Sequence, residues 1–241
     1  MSKPGKVFLI PSLLAEEGVE AIPSYITRHV LECSVFFVEN ERTARRYLKK
    51  LGNTFLPGQH IEIDNYEWYA IHKAENEMLP VFRKKIKEGR TIGIISEAGC
   101  PGIADPGQIL IAVAHEMNAD VKPLVGPNSI MLALAASGMN GQRFSFAGYL
   151  PIDSNDRIKT IRELESESLK NNTTQIFIET PYRNNPLVEA LLRNCKPSTQ
   201  LCLAVDLTSP DEWIKTKKIL DWKKEKLDIH KRPAIFLLLA G

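Results

Sequence analysis

Residues 94–107 read Ile-Ile-Ser-Glu-Ala-Gly-Cys-Pro-Gly-Ile-Ala-Asp-Pro-Gly, and here residue type and spacing begin to suggest chemistry. Gly99, Gly102 and Gly107 permit backbone angles and close approaches that a β-carbon would block, while Pro101 and Pro106 stiffen the path. Such a loop suits cradling a small molecule, because open α/β sheets place ligands at the C-terminal ends of their strands. A helix starting at Pro106, capped by Asp105, would favour an anionic group such as a carboxylate at its N-terminus. A structural turn with Asp105 as a simple cap satisfies the same spacing. Neither G-x-G-x-x-G nor G-x-x-x-x-G-K-[ST] occurs, which argues against a dinucleotide dehydrogenase or an NTPase, and G-x-S-x-G and H-E-x-x-H are also absent. Cys100 has no histidine near it in sequence to serve as its base, so it reads as a small loop residue rather than a nucleophile.

The elements that must position this loop alternate between strand and helix. Apolar runs predict strands over residues 7–10, 34–38, 60–64, 91–95 and 121–125. Helical periodicity falls between them, over 18–31 with Pro23 near the first turn, 41–51 stopped by Gly52, 74–88 ending at Gly89, and 106–117. An Ala-rich helix over 129–137, closed by Gly138, reads as a connector. Further strands are expected at 144–147, 174–178, 201–205 and 234–239, with helices near 156–168 and 186–193. Residues 211–221 alternate with period two and read as a strand. The class is α/β: two α/β/α domains, residues 1–125, whose alternation spells a mostly parallel sheet, and residues 126–241, expected to hold a mixed one.

With 241 residues, 44% hydrophobic and 25% charged, the chain has ample material for two such cores. The net charge of +2 is too small to argue for a nucleic-acid partner. Two local basic clusters, Arg42, Arg45, Arg46, Lys49, Lys50 and Arg83, Lys84, Lys85, Lys87, have helical spacing and read as solvated outer faces. Cys33, Cys100, Cys195 and Cys202 form no C-x-x-C pair and the histidines no metal-ligand pair, so no metal site or disulfide framework is expected and a reduced, cytoplasmic setting fits. The apolar run 7–10 is too short for a signal peptide or membrane span. Tyr66, Trp68 and Tyr69, beside His72, read either as a stacking surface for a base or as a packed loop.

The Ser96-Glu97-Ala98-Gly99-Cys100-Pro101 and Asp105-Pro106-Gly107 segments resemble the Ser-Asp-Ala-Gly-Thr-Pro and Asp-Pro-Gly of the tetrapyrrole (corrin/porphyrin) methylase superfamily, in its ribosomal small-subunit RNA methyltransferase I branch. Val125-Gly126-Pro127, residues 133–139, residues 146–151 and Glu179-Thr180-Pro181-Tyr182-Arg183 are similar to further segments of that branch in the same order, and Val38-Glu39-Asn40-Glu41-Arg42 is a weaker echo. The resemblance covers essentially the whole chain. It departs in the first loop, which is glycine-rich in the branch and here reads Pro11-Ser12-Leu13-Leu14-Ala15-Glu16-Glu17. It also departs at Glu97, Cys100, Tyr182 and Asp206, and at Arg232-Pro233-Ala234, which is closer to the tetrapyrrole-modifying members.

The resemblance implies S-adenosylmethionine (SAM) held without a metal in a cleft between the two domains of a homodimer, with methyl transfer to a ribose 2′-oxygen of small-subunit ribosomal RNA. The residues it implies for SAM are Pro11, Ser96, Glu97, Ala98, Gly99, Cys100, Ile103, Ala104, Asp105, Gly126, Asn128, Ser129, Pro233 and Ala234. Glu179 and Glu39, each just after an expected strand, are candidates for the proton-accepting base, with Arg183 or Arg42 as partners for phosphate or carboxylate. Methylation of a tetrapyrrole or another small molecule is the alternative activity. The altered first loop also admits a degenerate SAM-binding interaction protein.

Overall fold

The computed structural model describes residues 5–71 and 75–241. The chain divides into two compact units, the first ending at Asn128 and the second beginning at Ser129. Residues 126–128, expected to open the second domain, therefore belong to the first, where Gly126 lies directly against Pro11.

In the first unit, β1 (Lys6–Ile10), β2 (Val35–Val38), β3 (Glu67–Ala70), β4 (Thr91–Ile95) and β5 (Asp120–Pro123) form a sheet in the order β3-β2-β4-β1-β5. All its pairings are parallel. Helices α1 (Ile26–Glu32), α2 (Glu41–Phe55), α3 (Leu79–Lys87) and α4 (Gln108–Glu116) return the chain between strands. Alternating strand residues serve opposite faces: Phe8, Ile10, Phe36 and Val38 pack with α1 and α2, whereas Val7, Val35, Phe37, Ile92 and Ile94 pack with α3 and α4. Central strands buried on both faces need near-continuous apolar sequence, which is what β2 and β4 show.

Several expected boundaries move for identifiable reasons. The helix expected over 18–31 is broken into a 3-10 turn, Gly18–Ala21, and α1, because Pro23 pushes the preceding Ile22 into extended backbone at φ −94° and ψ 118°. Gly52 does not stop α2, which runs on to Phe55 with Gly52 buried against Ile61. Residues 60–64 are not a strand; a 3-10 turn, Ile63–Asn65, leads instead into β3. There Trp68 stacks on Phe36 at 4.9 Å and Tyr69 on Phe37 at 5.0 Å between ring centroids. The aromatic stretch is thus a packed edge strand; His72 and the expected helix start at Ala74 lie outside the described residues.

The second unit holds β6 (Phe144–Tyr149), β7 (Thr174–Ile178), β8 (Gln200–Val205), β9 (Trp213–Lys218) and β10 (Ala234–Leu239) in the order β6-β7-β10-β8-β9. The β6–β7 pair is parallel and the other pairs are antiparallel, so the sheet is mixed. Around it are α5 (Ser129–Ser137), α6 (Ser154–Asn171), α7 (Asn184–Asn194) and the short α8 (Ile219–Trp222). Phe177, Leu201, Leu203 and Phe236 share a core with Ile161 of α6 and Leu187 and Leu191 of α7. The strand expected over 211–221 ends at Lys218, where α8 begins. Among the described residues no helix is long and apolar enough to cross a membrane.

Candidate functional site

A parallel sheet collects the loops after its strands along one edge, and in the first unit those loops lock together. Ser12 N donates to Gly99 O at 2.7 Å, joining the loop after β1 to the loop after β4. Tyr47, buried in α2, donates its hydroxyl to Pro11 O at 2.5 Å. A β-carbon on residue 126 would lie 2.2 Å from Pro11 Cγ, so only glycine lets the loop after β5 approach. Cys100 Sγ donates to Pro127 O at 3.6 Å, and Val125 N donates to the Tyr25 hydroxyl at 2.7 Å. Pro11, Ala98, Gly99, Cys100, Gly126 and Asn128 therefore belong to one built edge. Burial raises the Cys100 thiol, against a hydrogen bond from Asn128 that lowers it, so it stays protonated at neutral pH.

The same edge carries carboxylates. Glu97 N donates to Glu39 Oε2 at 2.9 Å, and Thr43 Oγ1 donates to Glu97 Oε1 at 2.7 Å. Asp105 is pushed up to about 6, first by burial and then by the negative charges of Glu39 and Glu97, with a hydrogen bond from Ser96 opposing the rise. Glu39, Glu97 and Asp105 thus converge electrostatically, although among the described residues no three His, Cys, Asp or Glu side chains are placed to hold a metal ion. Ile103 is exposed beside Ala104, whose φ of 62° is left-handed.

Asp105 does not cap α4, and the helix does not start at Pro106. It starts at Gln108 after Gly107, whose φ of 121° turns the chain and leaves Asp105 directed to Ser96. The cap comes from Glu75, whose Oε1 accepts from Gly107 N at 3.1 Å, Ile109 N at 2.9 Å and Leu110 N at 3.3 Å. The anion expected at this helix terminus is therefore the protein's own carboxylate.

In the second unit β10 runs antiparallel to β7 and β8, so the ends of β7 and β8 share an edge with the start of β10. Glu179, buried just after β7, accepts on Oε1 from Thr180 N at 2.7 Å and from Arg183 Nε and Nη2 at 2.9 and 2.5 Å. Its Oε2 is buried and, among the described residues, has no hydrogen-bond partner. Nearby in this unit Asp206 accepts from Arg232 Nε at 2.5 Å, and Asp206 N donates to Pro233 O at 2.9 Å. Ala234 pairs with Val205 across the sheet, and Ser129 is the first residue of α5. Arg183 is thus oriented by Glu179 through Nε and Nη2. Sequence reasoning did not find Ser12, Thr43, Tyr47 or Glu75 because each acts on a segment distant in the chain. Only Tyr47 carried a signal, its place in the buried stripe of α2.

The family described as Tetrapyrrole (Corrin/Porphyrin) Methylases matches residues 23–221. Ribosomal RNA small subunit methyltransferase I of Escherichia coli O157:H7 is 33% identical over 171 residues, 69% of this chain and 58% of that protein. Its counterpart from Vibrio cholerae is 32% identical over 177 residues, covering 72% and 60%. That of Buchnera aphidicola subsp. Schizaphis graminum is 28% identical over 186 residues, covering 76% and 64%. The chain thus spans between 58% and 64% of the length of these curated relatives. Among solved structures, the methyltransferase CobJ shares the fold with a TM-score of 0.64 at 16% identity, covering 98% of this chain and 95% of that one. Uroporphyrin-III C-methyl transferase from Thermus thermophilus, complexed with S-adenosylhomocysteine, does so with 0.54 at 15% identity, covering 98% and 97%.

Proposed function

Since the chain belongs to the tetrapyrrole (corrin/porphyrin) methylase family, we propose that it is a SAM-dependent methyltransferase acting on a ribose 2′-oxygen of small-subunit ribosomal RNA, as a cytoplasmic homodimer. The names of its curated relatives support the RNA substrate. The observation that carries the reading is the interlocked edge of the first unit, where Ser12, Gly99, Pro11 and Gly126 hold the loops against one another beside Glu39, Glu97 and Asp105. SAM presents a sulfonium and an ammonium, and converging carboxylates suit both charges.

SAM, held by the loops that carry Pro11, Gly99 and Gly126, would supply the methyl group as a sulfonium electrophile. The chain's task is alignment, and a preformed loop set meets it without reorganisation. The acceptor hydroxyl must give up its proton, and we assign that task to Glu39, which lies on the same edge as the cradle. Glu179, with three N–H groups on one oxygen, instead orients Thr180 and Arg183.

Calorimetric titration with SAM, followed by transfer from tritiated SAM to purified small ribosomal subunits, tests this. Saturable SAM binding and label in the RNA are expected. No heat at about millimolar SAM removes the enzyme reading. Label that enters a tetrapyrrole but not the RNA replaces the substrate.

A further inference from the structure

Helix α2 starts at the site and leads away from it. Asn40, next to Glu39, caps the helix by accepting from Arg42 N at 3.0 Å and Thr43 N at 3.4 Å. The buried stripe Ala44, Tyr47, Leu48 and Leu51 fixes its rotation. Arg42, Arg45, Arg46 and Lys49 are left along an open groove of about 630 Å³ with Glu41.

The two basic clusters seen in the sequence differ in how they are neutralised. On α3, Arg83, Lys84 and Lys85 pair with Glu116, Glu88 and Glu67. On α2, Arg45 is paired with Glu41 and Asp64, and Lys50 donates to Glu16 O. Arg42, Arg46 and Lys49 are exposed and, among the described residues, form no ion pair. Spaced four and three residues apart, they make one ridge, and at 1.5 Å per residue it is about 10 Å long, enough to meet more than one phosphate. Guanidinium groups bind phosphate oxygens in bidentate fashion.

We propose that the ridge Arg42, Arg46, Lys49 docks the sugar-phosphate backbone of the RNA and thereby brings the acceptor ribose to the strand-end loops; this rests on the RNA reading above. Contacts to phosphate supply affinity and register rather than sequence recognition.

The test is retention of protein-free small-subunit ribosomal RNA by the wild type and by the Arg42→Gln/Arg46→Gln/Lys49→Gln variant, between about 50 and 200 mM potassium chloride. Circular dichroism and calorimetry with SAM run alongside. The variant is expected to lose roughly tenfold or more in RNA affinity and to shallow the log–log salt slope by about 2, with its spectrum and SAM affinity retained. Unchanged affinity and slope overturn the proposal. So does an equal loss in Lys159→Gln/Arg162→Gln/Lys170→Gln on α6, which would mean diffuse attraction. Binding of the ridge to anionic vesicles with no RNA retained also overturns it. If the wild type binds RNA through the ridge yet transfers no methyl to it, the docking stands and the methylation reading falls.

Discussion

At the scale of single residues, Asp105 is the most informative side chain. Its carboxyl titrates near 6 in the folded protein because it is part-buried beside Glu39 and Glu97. A raised pKa means that protonated Asp105 fits the fold best. Its favourable contribution is present below the ordinary carboxylate range and is lost as pH rises through about 6. Asp105→Asn should therefore melt higher than the wild type at pH 7.5, by about 2–4 °C after allowance for solvent screening, and the two should melt together near pH 4. On the proposed function, wild-type SAM affinity should also strengthen from pH 5 to 7.5 as the carboxylate ionises, and the Asn variant should flatten that dependence; calorimetry at both pH values checks it. The sequence marked Asp105 and read it as the cap of the next helix, a task that falls to Glu75 instead. Asp-Pro-Gly spells a helix start, but a proline followed by a glycine at φ 121° carries the carboxylate away from the helix it precedes.

At the scale of elements, the cap of α4 comes from a residue between β3 and α3. Glu75 holds three N–H groups on one carboxylate oxygen, so Glu75→Ala should cost about 1–3 kcal/mol of stability. It should also weaken SAM binding by loosening residues 99–107. Glu75→Gln, which retains an acceptor, should recover much of the affinity; melting curves and titrations of both variants decide the point. Interior strands such as β2 and β4 were legible because burial on both faces demands an unbroken apolar run. The edge strand β3 was missed because His60-Ile61-Glu62-Ile63-Asp64 alternates more cleanly than Glu67-Trp68-Tyr69-Ala70. Ile61 and Ile63 in fact join the core from an irregular segment and the 3-10 turn that follows it, while the aromatic rings of β3 stack on β2. Periodicity reports which residues are buried and does not say which backbone buries them.

At the scale of the whole molecule, two α/β units with separate cores follow from the alternation of elements, and so does the parallel sheet of the first; the mixed sheet of the second was implied by the family resemblance rather than by any local pattern. What the alternation did not contain was the fastening between loops, since Ser12–Gly99, Pro11–Gly126 and Cys100–Pro127 join segments that no local pattern relates. Gly126→Ala tests that fastening. Its added carbon meets Pro11 Cγ at 2.2 Å, so the loops must part. SAM binding should be lost or weakened by tenfold or more while the far-ultraviolet spectrum stays native, and an unaltered titration would show that the contact is dispensable. The interlock also has a consequence in time. Its contacts reach across the unit, as the Tyr25–Val125 bond does over 100 residues, and such distant closures are slow to form. A chain emerging from the ribosome therefore cannot complete its cradle until Asn128 is out. If closure of these loops is late in folding, SAM added during refolding should leave the early rate unchanged and slow only unfolding; stopped-flow refolding with and without SAM checks it.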